Sequence, residues 1–190
     1  MHPTPILRDV PTQIETPRLI IRCPEPGDGV QVFSGVLEAL ASLREFPASL
    51  PWALFEPSIA ESEKYCREGQ AKYLLRTELP MLLLLKAGEV YIGGSGLHSF
   101  DWSVPKCETG YWLRPEFRNQ GLATEAVTAI TAFAFDKLGM RRVEALPDDE
   151  NLPSCRVCER SGFSLEGIMR NDRIEPDGTL RNTRVYAIAK

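Results

Sequence analysis

Histidine is scarce in this chain: His2 and His98 are the two among 190 residues. Metal centres built from several imidazoles therefore have too few ligands. Cysteine offers no substitute. The five cysteines, at positions 23, 66, 107, 155 and 158, are odd in number and scattered, which is not a disulfide framework. Cys155-Arg-Val-Cys158 is a lone CxxC with no second pair and no neighbouring histidine, and it reads as two small residues on a helix. Long apolar runs are also missing. The longest, Met81-Leu-Leu-Leu-Leu85, is bounded by Pro80 and Lys86 and falls far short of the roughly 20 residues that span a bilayer. It reads as a buried strand. Met1-His-Pro-Thr-Pro5 lacks the basic and apolar regions of a signal peptide, so a cytosolic protein is expected. Lys and Arg number 22 against 26 Asp and Glu, a net charge of −4. There is no basic excess to hold nucleic acid by bulk electrostatics. A mildly acidic surface suits a cationic substrate such as an amine.

What remains is ordinary globular composition, 43% hydrophobic and 25% charged, at a length that fits one domain with a sizeable core. Residues 1–14 are polar and Pro-rich and read as a loosely held arm, with one domain over 15–190. Arg18–Arg22 reads as a first strand, stopped by Pro24, Pro26 and Gly27. Val32, Phe33, Val36, Leu37, Leu40 and Leu43 give helical spacing over Val30–Leu43. Three prolines make 46–57 a loop. Ser58–Arg76 reads as a helix with Ser58 as N-cap and Glu61 as its capping-box partner. Met81–Lys86 and Val90–Phe100 form a hairpin turning at Ala87-Gly88, and Lys106–Leu113 is the next strand. A helix follows from Gln120 to Leu138, with Gly139 as a left-handed C-cap. Arg142–Leu146 is a short strand. Pro153 opens a helix ending at Gly162. Phe163–Met169 and Arg184–Ala189 are final strands joined through Glu175-Pro-Asp-Gly178. The order is mixed α/β, with a parallel pair flanking the long helix. Val185-Tyr-Ala-Ile188 reads as an edge strand open to pairing with a second copy, that is, a homodimer.

The most informative segment is Arg118-Asn-Gln-Gly-Leu-Ala123, where the strand Glu108–Leu113 gives way to the amphipathic helix. A Gly-containing turn at a helix N-terminus aims unpaired backbone N–H groups at one point, which attracts phosphate without a charged side chain. Gly93-Gly-Ser-Gly96 is no such cradle, because no helix follows it. Glycines inside a strand mark a bulge or a close backbone approach.

Arg118–Ala123 resembles the R/Q-x-x-G-x-G/A signature of the GCN5-related N-acetyltransferases (GNAT). Gly110-Tyr-Trp-Leu-Arg-Pro-Glu116 is similar to the segment preceding that loop in the RimJ/RimL-like, ribosomal-protein-type branch. Asn151-Leu-Pro-Ser154…Cys158…Gly162-Phe163 is similar to the family's N-x-x-A/S-x-x-hydrophobic-x-x-x-x-G-F segment. The resemblance covers Thr16 to Lys190. It implies a single-domain acyl-CoA N-acyltransferase fold: a mixed, mostly antiparallel sheet of about seven strands flanked by about four helices. It also implies a parallel pair splayed near Leu113 and Leu146, where Gly110 is a candidate bulge. The implied activity is acetyl transfer from acetyl-CoA to a primary amine, with no nucleic acid or membrane partner. The implied acyl-donor contacts are Trp112, Leu113, Arg114, Arg118, Asn119, Gln120, Gly121, Leu122, Ala123, Thr124, Asn151 and Ser154.

A backbone N–H near Trp112-Leu113 would serve the oxyanion. In that branch a serine placed like Ser154 protonates the departing thiolate. Many relatives carry a tyrosine acid where this chain has Cys158, which leaves Ser154 as the donor. For the general base, His98, Asp101 and Glu108 stand near the expected cleft. Imidazole titrates near neutrality, and Glu108 resembles an acidic residue common at that place. Asp172 and Arg173 lie where some relatives carry a carboxylate. Two other readings stay open: an acyl-CoA-binding module without turnover, and a transferase using another donor such as succinyl-CoA.

Overall fold

The computed structural model describes residues 4–190. Its elements are β1 (Gln13–Glu15), β2 (Leu19–Arg22), α1 (Gly29–Leu43), α2 (Ile59–Leu75), β3 (Leu79–Leu85) and β4 (Val90–Asp101). They continue with β5 (Lys106–Leu113), α3 (Leu122–Leu138), β6 (Arg142–Ala145), α4 (Leu152–Arg160), β7 (Ser164–Ile174) and β8 (Leu180–Ala189). The ends follow the local chemistry. Ser58 caps α2 by accepting the Glu61 N–H at 3.1 Å, which satisfies one orphan donor of the first turn. Gly139, in the left-handed region at φ 69°, ends α3.

The strands form one sheet in the order β1-β2-β3-β4-β5-β6-β8-β7. All neighbours are antiparallel except β5 and β6, which α3 connects as a parallel pair. Strand alternation divides the core in two. In β3, Met81 and Leu83 join the cluster under α3, while Leu82 and Leu84 join the cluster under α1 and α2. The apolar run is continuous because both of its faces are covered. The same rule parts Tyr111, packed on the α3 side, from Trp112, packed on the α1 side. Burying one such leucine contributes about 1.5–3 kcal/mol.

Several expectations need correction. The sheet has eight strands rather than about seven, because the short polar segment Gln13–Glu15 pairs with β2. Pro80 does not bound β3; it lies within the strand, opposite Gly96. β7 and β8 are longer than expected. β8 is not an edge, since it lies between β6 and β7. Gly110 sits in regular register with Gly96, so it marks no bulge. The irregularities fall between Leu83 and Leu84, between His98 and Asp101, and in β7 between Leu165 and Gly167 and between Met169 and Arg173. Within the expected arm, Val10 is buried, and the Tyr73 hydroxyl donates to the Pro11 carbonyl at 2.6 Å. Among the described residues no helix is long and apolar enough to cross a membrane.

The glycines of β4 permit close backbone approach. A Cβ on Gly93 would stand 2.2 Å from the Trp112 carbonyl oxygen, whereas one on Gly167 in β7 would meet nothing within 4 Å. Gly93→Ala should therefore destabilise by about 1–3 kcal/mol, and Gly167→Ala should stay within about 0.5 kcal/mol of wild type. Urea unfolding measures both; coincident midpoints for the two variants would refute the tight approach.

Candidate active site

The site begins where β5 and β6 part. They pair at Lys106–Arg142, Cys107–Val143 and Glu108–Glu144 and no further. From Thr109 to Leu113, β5 keeps only β4 beside it. The Arg114 N–H donates to Ile92 in β4 at 2.8 Å. Successive N–H groups of a strand point to opposite edges, so the Leu113 N–H points into the gap and that of Trp112 points to β4. Leu113, rather than Trp112, is the backbone donor available there. The Trp112 ring lies on the opposite face, edge-on to Tyr91 at 6.1 Å and 6.4 Å from Trp52.

Beyond β5 the chain turns into α3 through two left-handed residues, Asn119 (φ 60°) and Gly121 (φ 77°). Gly121 is the N-cap and brings no side-chain cap. The first helical bond is Glu125 N–H to the Gly121 carbonyl at 3.0 Å. The N–H groups of Leu122, Ala123 and Thr124 therefore lack intrahelical partners. Gln120 donates from Nε2 to the Glu116 carbonyl at 2.8 Å.

A residue the sequence did not single out fastens this loop. Arg18, at the head of β2, donates from Nη1 to the Gln120 carbonyl at 2.9 Å and from Nε to Glu125 at 2.6 Å. Glu125 also accepts from the Thr16 hydroxyl at 2.6 Å and the Arg18 N–H at 2.9 Å. Burial raises the pKa of the Glu125 carboxyl, but these bonds outweigh burial and hold it below the usual carboxylate range. No local pattern marks Arg18, because the contact joins segments 107 residues apart. Arg114 and Arg118 are engaged internally. Arg114 binds Glu38 at 2.9 Å, the Tyr91 carbonyl at 2.6 Å and Glu116 at 2.8 Å. Arg118 donates twice to the Leu113 carbonyl at 3.2 Å and once to the Ser42 hydroxyl. Both arginines brace the loop from behind.

The N-terminus of α4 faces the same region. Asn151 accepts the Ser154 N–H through Oδ1 at 3.1 Å, the N-cap geometry, which leaves the two protons on Nδ2 available. Tyr111 reaches over from β5. Its Oη is 2.9 Å from the Ser154 carbonyl, 3.0 Å from Ser154 Oγ and 3.3 Å from Cys158 Sγ. Burial pushes the Cys158 thiol up to about 11 and the Tyr111 phenol far above its ordinary value. Both stay neutral near pH 7.

His98 and Glu108 form a cross-strand pair on the other face of the sheet, with Nδ1 to Oε2 at 3.8 Å. Glu108 is also the last β5 residue paired with β6. Asp101 is a turn residue: its Oδ1 accepts from the Ser103 hydroxyl, the Ser103 N–H and the Val104 N–H. Arg173 bonds the Ser49 hydroxyl at 2.7 Å and the Leu146 carbonyl at 3.1 Å, with Asp172 3.9 Å from it. The structure thus gathers Ser154 with Tyr111 and Cys158, and His98 with Glu108, on opposite faces of one strand.

A parted parallel pair followed by an uncapped helix N-terminus defines a class, and comparison with known proteins agrees. The family profile described as "Acetyltransferase (GNAT) domain" matches residues 18–164. The chain belongs to this family. It is similar to the uncharacterized N-acetyltransferase YoaA of Bacillus subtilis (strain 168), 32% identical over 99 residues, 52% of this chain and 55% of that one. It is similar to the ribosomal-protein-serine acetyltransferase of Escherichia coli (strain K12), 28% identical over 125 residues, 64% of this chain and 67% of that one. The aligned part thus spans about half to two thirds of the length of these curated relatives. Its fold is that of the microcin self-immunity acetyltransferase MccE, solved with acetyl-CoA and AMP, at a TM-score of 0.85 and 18% identity over 95% of this chain and 98% of that one.

All five cysteines are free and buried. The nucleophilic form of cysteine is the thiolate, and burial pushes Cys66 and Cys107 up to about 12 and Cys23 and Cys158 up to about 11. At neutral pH a disulfide exchange reagent should label none of them within minutes in the native protein and all of them in denaturant. Rapid native labelling of Cys155 or Cys158 would contradict the packing of α4 against β5.

Proposed function

We propose that the chain is an N-acetyltransferase that moves the acetyl group of acetyl-CoA directly to a primary amine, either a protein N-terminus or a small molecule. The observation that carries this reading is the strand edge exposed where β5 leaves β6, leading to the uncapped α3 N-terminus. The relatives named above support it, one bearing the name of a ribosomal-protein-serine acetyltransferase and one solved with acetyl-CoA.

The donor set fits the acyl donor. The free N–H groups at Leu122, Ala123 and Thr124 suit a pyrophosphate, held by the helix dipole without a fixed cation. Asn119 and Gln120 set the turn. Asn151 Nδ2 and the open edge of β5 suit the amides of a pantetheine arm. The Leu113 N–H is placed to donate to a carbonyl oxygen as charge develops on it, a contribution of about 2.7–4 kcal/mol where such donors have been removed.

The chemistry needs no acyl-enzyme. The amine loses a proton, its nitrogen forms the C–N bond, and the C–S bond breaks with the electron pair going to sulfur. Ser154 Oγ–H gives its proton to that sulfur and regains one from water. Glu108, assisted by His98, takes the proton from the amine on the opposite face, directly or through water. Holding both reactants in line supplies much of the rate.

Calorimetric titration with acetyl-CoA should show saturable one-to-one binding, and a panel of amines should then yield turnover. Gly121→Val, which forces a β-branched residue into the left-handed region and crowds the loop, should weaken binding at least about tenfold, or about 1.4 kcal/mol. Ser154→Ala should leave binding intact and lower kcat by a factor on the order of 100 or more. Binding without turnover on any amine would leave the silent acyl-CoA module; no binding would remove the assignment.

A further inference from the structure

Tyr111 is the one described side chain of β5 that bonds α4 by its hydroxyl, and all of its partners there belong to Ser154 or Cys158. A phenol has one proton and two lone pairs. With the proton directed at the Ser154 carbonyl, 2.9 Å away, Oη is left as an acceptor for Ser154 Oγ–H at 3.0 Å and Cys158 Sγ–H at 3.3 Å. One group on the rigid sheet thereby fixes both the backbone and the hydroxyl of Ser154. Its ring packs in the core on the α3 side. The Tyr111 oxygen also stands 3.3 Å from the Cys158 sulfur, so the phenol spans the first two turns of α4 from the sheet.

We propose that Tyr111 is the positioning residue of the proton donor, holding Ser154 Oγ in place and stabilising it as its proton leaves; this rests on the acetyltransferase reading above. As the C–S bond breaks, the Ser154 O–H turns from Tyr111 Oη toward the sulfur, which takes the bonding pair and that proton. The Tyr111 O–H then turns from the Ser154 carbonyl to Oγ and forms a charge-assisted bond, the strong kind. The phenol keeps its own proton throughout. Burial, which raises its pKa, keeps it protonated across the working range.

The test is Tyr111→Phe, which keeps the ring and removes the hydroxyl, assayed alone and combined with Ser154→Ala. The expected result is a fall in kcat of about 10–100-fold, with KM and binding affinity for acetyl-CoA within about twofold of wild type. The double variant should be no slower than Ser154→Ala alone, because the phenol acts through the serine. An unchanged kcat in Tyr111→Phe would overturn the proposal. So would a further loss of the same size on the Ser154→Ala background, which marks an independent structural effect. If Ser154→Ala itself turns over at the wild-type rate, Ser154 is not the donor and this role for Tyr111 falls with it. Absence of acetyl-CoA binding in wild type would instead reject the underlying activity.

Discussion

Everything at the site depends on the early end of the pairing between β5 and β6. Two parallel strands that share only three residue pairs leave backbone donors and acceptors along β5 with no strand opposite them. An open strand edge is a template for another extended chain, and a thioester carried on an amide-bearing arm is a suitable occupant. The gap is stable because each strand is held from its outer side. β5 is laddered to β4 from Leu113 back to Lys106, and β6 is laddered to β8 over its whole length. Collapse of the gap would break one of these ladders.

Alternation along β5 then assigns different work to the two faces of the sheet. Tyr111, Ser154 and the N-terminal turns of α3 and α4 lie on one side. Glu108 and His98 lie on the other, a carboxylate and an imidazole 3.8 Å apart. In the proposed direct transfer this division separates release of the thiolate on one face from acceptance of the amine proton on the other. The loop between β5 and α3 is tied to both layers, by Arg118 to α1 and by Arg18 to β2. Its N–H groups are therefore fixed before any ligand arrives, and less ordering is needed on binding.

Most of this was legible in the sequence, for reasons specific to each element. Helical spacing located α1 and α3, and Gly139 marked the end of α3 because a left-handed C-cap favours glycine. The five-residue apolar run of β3 stood out because both of its faces are buried. β1 was not legible: Gln13-Ile-Glu15 has little apolar content and exists by pairing with β2. The true length of β7 was hidden too, since nearly all of its residues are exposed and Asn171 turns to φ 53° within it. At the site, local motifs singled out the turn at the α3 N-terminus, Asn151 and Ser154. They could not show that Arg114 and Arg118 spend their charge on internal acceptors, or that Arg18 fastens the loop. Tyr111 was visible only as part of a resembling segment. Its contact with Cys158 joins positions 47 apart, and no local pattern carries it.

The most direct test is a crystal structure of this protein grown with acetyl-CoA. The account predicts the pyrophosphate on the N–H groups of residues 122–124, the pantetheine arm along the open edge of β5 between Thr109 and Leu113, and the thioester sulfur within hydrogen-bond reach of Ser154 Oγ. A ligand bound elsewhere, or β5 and β6 zipped together beyond Glu108 with the ligand excluded, would contradict it.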